Sequence, residues 1–306
     1  MKKGFTLVEL IVVVGIICIL AGILIASFSG GIESARSAKC LTNMRNLAAA
    51  CQTYGMANSH YPAAGSFEKL KIDEGKGNAQ KVFFEHAGWI SWNSGRTYDS
   101  KPQSHVASSS WMTSCYDEDE DKRRFALTNG VLWKYVSASS EVYVCPQHRI
   151  VCQEKGEHAP AWSYVMNSWF GWDDTMGSRA KAESEYGREY GNVKNADKRL
   201  LFAEIPFYES KKPNEKLGDV DFSAASGTAH DCTLQYTSKG GNEIVGFNHL
   251  AGKAGLCAHV VFADAHTEKI MMPKGGMTLD DARNLTKFLC EGKDYTLENG
   301  RFRELK

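Results

Sequence analysis

Lys2-Lys3-Gly4-Phe5-Thr6-Leu7-Val8-Glu9-Leu10 opens the chain, and an apolar run continues from it through Phe28. Of the 23 residues from Phe5 to Ser27, Glu9 alone carries a charge. At ~1.5 Å of rise per residue, a helix of that length spans the ~30 Å hydrocarbon core of a bilayer. Gly15 and Gly22 do not break it, because lipid offers the backbone no hydrogen-bond partner but itself. A carboxylate in such a segment costs about 2.5–3.5 kcal/mol on insertion scales, which marks Glu9 as a functional residue. The run exceeds the ~7–15 apolar residues of a secretory signal, and no A-x-A cleavage site follows it. A plain signal anchor is the competing reading. Lys2 and Lys3 favour a cytoplasmic N-terminus, although Arg36 and Lys39 follow the run with Glu33 before them.

Beyond the run the helical signal persists. Leu41, Met44, Leu47, Ala48, Cys51 and Tyr54 recur at spacings of three and four and make one apolar face. Arg36, Lys39, Arg45 and Gln52 occupy the other side. Gly30-Gly31 is a weak point and not a stop, so one helix is predicted up to the Asn58, Ser59, Pro62 punctuation. Its amphipathic half, 29–58, needs a sheet to cover it. Val131–Val136, Glu141–Val144, Arg199–Ile205 and His259–Ala263 read as short extended runs. Residues 65–125, which include Trp89, Trp92 and Trp111, read as long loops with one strand pair. Residues 171–198 are a polar helix or insertion, and 208–243 read as loop. Thr278, followed by Asp280-Asp281, starts a closing helix over 278–291.

Composition narrows the function. Thirty-six basic and 36 acidic residues give no net charge, so nucleic acid is not an expected partner. Some 250 residues lie past the first helix, enough for a real core. Of the nine cysteines, Cys18 sits in the apolar run and eight lie beyond it. Outside the cytoplasm those eight can form disulfides, and a reducing habitat keeps them as thiols.

The opening nonapeptide resembles the type III signal of type IV pilins and type II secretion pseudopilins. That resemblance implies cleavage between Gly4 and Phe5 by a prepilin peptidase and methylation of the new Phe5 amine. It implies pairing of that amine with Glu9 of a neighbouring pilin or pseudopilin subunit, in a homo- or hetero-filament. It also implies inner-membrane lipid as the helix's surroundings before assembly, with the head in the periplasm or outside the cell. Further segments resemble a large-head subgroup with a late H-x9-DG box. These are Cys40-Leu41-Thr42-Asn43-Met44-Arg45-Asn46-Leu47 with Tyr54 and Tyr61-Pro62, then Gly130–Val136 with Tyr143-Val144-Cys145-Pro146. Ser163–Asn167, Leu201-Phe202-Ala203-Glu204 and Asn248-His249 … Asp264-Ala265-His266 complete the set. The box departs from the family pattern: fourteen residues separate His249 from Asp264, and Ala265 stands where the family has glycine, which argues against a positive φ there.

Other chemistry competes. Cys145, His148, Cys152 and His158 form C-x2-H-x3-C-x5-H, a spacing open to zinc or to a Cys145–Cys152 disulfide. Asp117–Asp121 is an acidic run, either a Ca²⁺ loop or a solvated segment. His249, Asp264 and His266 suggest a structural turn, or at most a metal-dependent hydrolase. No G-x-S-x-G, phosphate loop or H-E-x-x-H is present. The aromatic residues fill a core or line a glycan surface.

The expected protein is α+β, with a long N-terminal transmembrane and amphipathic helix packed on an antiparallel head. Residues 1–4 are the leader, 5–28 the transmembrane half, 29–58 the amphipathic half and 59–306 the extracytoplasmic head. The expected role is a filament subunit without catalytic activity, metal or cofactor. The alternative is a filament-tip or membrane-anchored binding module, glycan-binding among the possibilities.

Overall fold

A computed structural model of the chain describes residues 6–65, 67–73, 81–90, 120–156, 158–170, 189–206, 232–234, 244–251, 255–299 and 301–305. One unbroken helix, α1 (Leu7–Asn58), runs through the paired glycines. It ends at Ser59, whose φ of 63° is left-handed. The halves of α1 live in different surroundings. Leu7, Val8, Leu10 and Ile11 are exposed, as are Ile16, Ile17 and Leu20. Ser37, Cys40, Asn43, Met44, Leu47, Ala48, Cys51 and Tyr54 are buried. Among the described residues no helix is long and apolar enough to cross a membrane. The described side chains of the first half stop at Gly22, so the expected span over 5–28 lies partly outside them.

The buried stripe runs along the predicted face with one shift. Leu41 is half-buried, and the smaller Cys40 and Ser37 carry the contact line upward toward the apolar half. Polar residues there are tolerated because each has a partner. Asn43 Nδ2 donates to the carbonyls of Glu141 and Val144, both at 3.0 Å.

After α1 comes a hairpin-like pair, β1 (Phe67–Asp73) and β2 (Lys81–Ala87), antiparallel with irregular register. It is the strand pair expected in 65–125. Trp89 and Ile90 follow it into the core, while Trp92 and Trp111 lie outside the described residues. Two helices come next, α2 (Glu120–Thr128) and α3 (Pro146–Lys155). Glu120 and Asp121 occupy the first turn of α2, where acids suit the helix dipole. The rest of the acidic run, 117–119, is outside the described residues.

The main sheet joins β3 (Tyr164–Asn167), β4 (Leu200–Glu204), β5 (Thr233–Leu234), β6 (His249–Leu250), β7 (Leu256–Phe262) and β8 (Thr267–Met271). Its pairings are antiparallel except for β3 with β5. Strand β7 is the hub. It pairs with β4 through Phe262, Val261 and Val260, with β6 through Cys257 and Leu256, and with β8 through Cys257 to Val261. α1 packs on β4, β6, β7 and β8. All five residues of β4 are buried. The closing helix α4 (Leu279–Glu291) also contacts β4. It starts as expected, with Thr278 and Asp281 in a reciprocal capping box. An antiparallel pair, β9 (Tyr295–Glu298) and β10 (Arg301–Glu304), ends the chain. The architecture is α+β, a long helix against a predominantly antiparallel head.

Two predicted strands are corrected. Residues 131–136 fold as turns around a 3-10 helix, Trp133–Tyr135, and Glu141–Val144 overlaps another, Ser140–Tyr143. Their β-branched and aromatic composition reflects burial, not extension: Leu132, Val136, Tyr143 and Val144 are core residues. Their backbone groups bond locally, as in Tyr135 N–H to Leu132 O at 2.9 Å. The polar segment 171–188 and most of 208–243 lie outside the described residues.

Candidate functional site

Two features have chemistry beyond packing. At the N-terminus, Thr6 caps α1. Its hydroxyl oxygen accepts from Glu9 N–H at 3.3 Å, and Glu9 Oε2 accepts from Thr6 N–H and Oγ–H, both at 2.8 Å. The lone acid of the apolar run thus closes a capping box at the first turn, exposed on the rod. Gly4 and Phe5, the predicted processing pair, lie outside the described residues.

The second feature is a buried cluster where the helix meets the head. Cys40 projects from α1, Cys145 is the N-cap of α3, Glu204 ends β4 and His249 begins β6. All four are buried, and one donor atom from each lies within 4.8 Å of the others. Cys40 Sγ and His249 Nε2 each stand 3.0 Å from Glu204 Oε1, and Cys145 Sγ lies 3.4 Å from His249 Nε2. Glu33 Oε1 faces His249 Nδ1 at 3.5 Å, and the Tyr164 hydroxyl donates to Cys40 Sγ at 3.5 Å. His259 stacks on His249 with centroids 4.1 Å apart. The Nε2 of His259 is 3.0 Å from Ser37 Oγ, which also accepts from Lys269 Nζ at 3.0 Å.

The local electrostatics are those of a crowded, dry site. Burial pushes the Glu204 carboxyl up, but His249, then His259 and the Cys40 thiol, outweigh it and hold it at about 2. Burial opposes charge on His249, yet Glu204, Cys145 and Glu33 raise its pKa. Burial pushes the Cys40 thiol well up, and the neighbouring Cys145 and Glu204 add to that. Burial brings His259 down to about 4 and His148 down to about 3. Glu204 Oε2 and His249 Nδ1 receive no aligned hydrogen bond among the described residues. His259 Nδ1 and Glu33 Oε1 stand 3.5 Å from them respectively.

The C-x2-H-x3-C-x5-H residues do not converge. Cys145 joins the cluster above, whereas His148 turns to Ser163 Oγ at 2.9 Å. Cys152 is buried, and His158 is exposed beyond the Gly156 cap. No disulfide joins Cys145 to Cys152, or any other pair of the described cysteines. The H-x9-DG-like residues are likewise divided. Asp264 Oδ1 accepts from His266 N–H at 3.0 Å and pairs with its Nδ1 at 2.6 Å, on an exposed turn where His266 stacks on Phe262. His249 belongs to the buried cluster instead. Ala265 takes a φ of 70° despite its Cβ, so the turn keeps a left-handed residue without glycine.

Sequence spacing missed the cluster because its members are scattered over more than 200 positions. One signal was available: Glu204 is an acid at the end of an otherwise apolar strand run, and a buried acid requires partners. Each of the four residues also falls in a segment that carried the large-head resemblance.

Residues 1–25 match the family described as prokaryotic N-terminal methylation motif. The chain therefore carries a pilin-like prepilin signal at its N-terminus. No curated protein and no solved structure matches the chain.

Proposed function

We propose that the chain is a structural subunit of a type IV pilus-like filament or a type II secretion pseudopilus. In this reading a prepilin peptidase cuts between Gly4 and Phe5 and methylates Phe5, and the inner membrane holds the apolar half of α1 until assembly. The observation that carries the reading is the methylation motif joined to a helix whose apolar residues from Leu7 to Leu20 are exposed and whose second half is rooted in the head. An apolar rod exposed on all sides requires lipid or other helices around it. Thr6 satisfies hydrogen bonds of the Glu9 carboxylate but, being neutral, supplies no charge to balance it. The Phe5 amine of an adjacent subunit supplies the opposite charge and sets the stacking register.

The alternative of a metal-dependent hydrolase built on His249, Asp264 and His266 is not favoured, because His249 is buried while Asp264 and His266 share an exposed turn.

The test is Glu9→Ala in the native host. The variant is expected to remain in the membrane fraction and to disappear from sheared filaments. Wild-type amounts of filament would refute the charge-pairing account.

A further inference from the structure

We propose that Cys40, Cys145, Glu204 and His249 bind a zinc-class divalent ion that fastens the N-terminal helix to the head. The donor set is two sulfurs, one imidazole nitrogen and one carboxylate oxygen. Soft sulfur with imidazole selects zinc and its neighbours, whereas Ca²⁺ and Mg²⁺ take oxygen. Metal bonds of about 2.0–2.3 Å in a tetrahedron place donors roughly 3.3–3.8 Å apart. The pairs here stand at 3.0, 3.0 and 3.4 Å, with the whole set inside 4.8 Å. Small rotamer adjustments therefore open the centre to an ion.

Three independent features support a built site. All four donors are fully buried, which is costly for a bare carboxylate and imidazole unless something compensates them. Glu204 Oε2 has no aligned donor among the described residues. Behind His249, Glu33 Oε1 stands 3.5 Å from the distal ring nitrogen, within a small adjustment of the carboxylate–histidine pairing that orients metal-bound imidazoles. The Tyr164 hydroxyl stands against the Cys40 sulfur in the same supporting role.

The site is closed, with four protein donors and every one of them buried, so its role is structural. Its donors come from α1, the start of α3, the end of β4 and the start of β6. One ion thus ties the helix that leaves the head to three separate parts of it, and binding is coupled to folding. On binding, each thiol and the Nε2–H of His249 give a proton to solvent, Nδ1–H stays toward Glu33, and the ion takes the place of those protons. No electron is transferred.

The test uses the full chain, extracted from native membranes in mild detergent without chelator. Elemental mass spectrometry is expected to find about one zinc per chain. Cys145→Ser should fall to background, while Cys152→Ser, a buried cysteine on the same helix outside the cluster, should keep its metal. Exchange of the parent chain with Co²⁺ alone should produce thiolate-to-cobalt charge-transfer absorption, which decides the matter even if Cys145→Ser fails to fold. A folded, reduced parent that takes up neither Zn²⁺ nor Co²⁺ would overturn the proposal. Metal retained by Cys145→Ser, or peptide mapping that finds Cys40 disulfide-linked to Cys145, would do the same.

Discussion

Asn43→Ala probes the seam between α1 and the head. Asn43 is fully buried, and its Nδ2 bridges the carbonyls of Glu141 and Val144 at 3.0 Å each. Truncation affects the two carbonyls unequally. Glu141 O keeps the Val144 N–H at 3.4 Å and loses one of two donors. Val144 O loses its donor among the described residues, which for a buried carbonyl costs about 1–3 kcal/mol. Loss of the Glu141 bond adds about 1 kcal/mol. Against this, Asn43 Oδ1 is itself without a partner among the described residues, so removing it returns about 1 kcal/mol. The net expectation is a destabilisation of about 2 kcal/mol, or about 4–8 °C in Tm for a head of this size. The assay is thermal unfolding of the full chain in detergent, followed by near-UV circular dichroism. A Tm within about 1 °C of the parent would refute the hydrogen-bond accounting. Because Val144 precedes Cys145, the variant should also loosen the start of α3.

Two further predictions concern the same core. Gly130→Ala builds a Cβ onto the Trp89 carbonyl oxygen and 2.8 Å from Ile90 Cα, both backbone, so the usual escape of a flexible side chain is missing. It should cost about 1–3 kcal/mol in chemical denaturation, and a neutral result would mean that the segment around Trp89 yields freely. His148 Nδ1 and Ser163 Oγ stand 2.9 Å apart, and burial lowers the His148 pKa from 6.5 to about 3. The unfolded chain therefore binds a proton that the folded chain refuses between those values. The contribution is complete above pH 6.5 and falls as pH drops toward 3, by up to about 5 kcal/mol. His148→Gln should remove that part of the slope from denaturation midpoints measured across the window, and identical slopes in parent and variant would contradict the assignment.

The fold was legible where apolar spacing is strong. The 44, 47, 48, 51, 54 stripe names the buried face of α1, and the apolar runs at 199–205 and 259–263 are β4 and β7. Legibility failed where burial and extension separate. Residues 131–136 and 141–144 look like strands because they are core, yet they fold as tight turns across α1. Strand β8 was missed for the opposite reason. Within Thr267–Met271 only Ile270 is buried, as on a charged sheet edge. The cluster needed topology: β7 pairs with β4 and β6 and so carries Glu204 and His249 to one place beneath Cys40, a proximity that no spacing along the chain encodes. The acid in the apolar rod was plain from the first line, since a lone charge in such a run has few explanations.

The most direct measurement is mass spectrometry of the N-terminal peptide of the protein isolated from its native cells. The account predicts a chain that begins at Phe5 with a methylated amine, next to the Thr6–Glu9 capping box. A chain that retains Lys2-Lys3-Gly4, or one trimmed past Ser27, would contradict it.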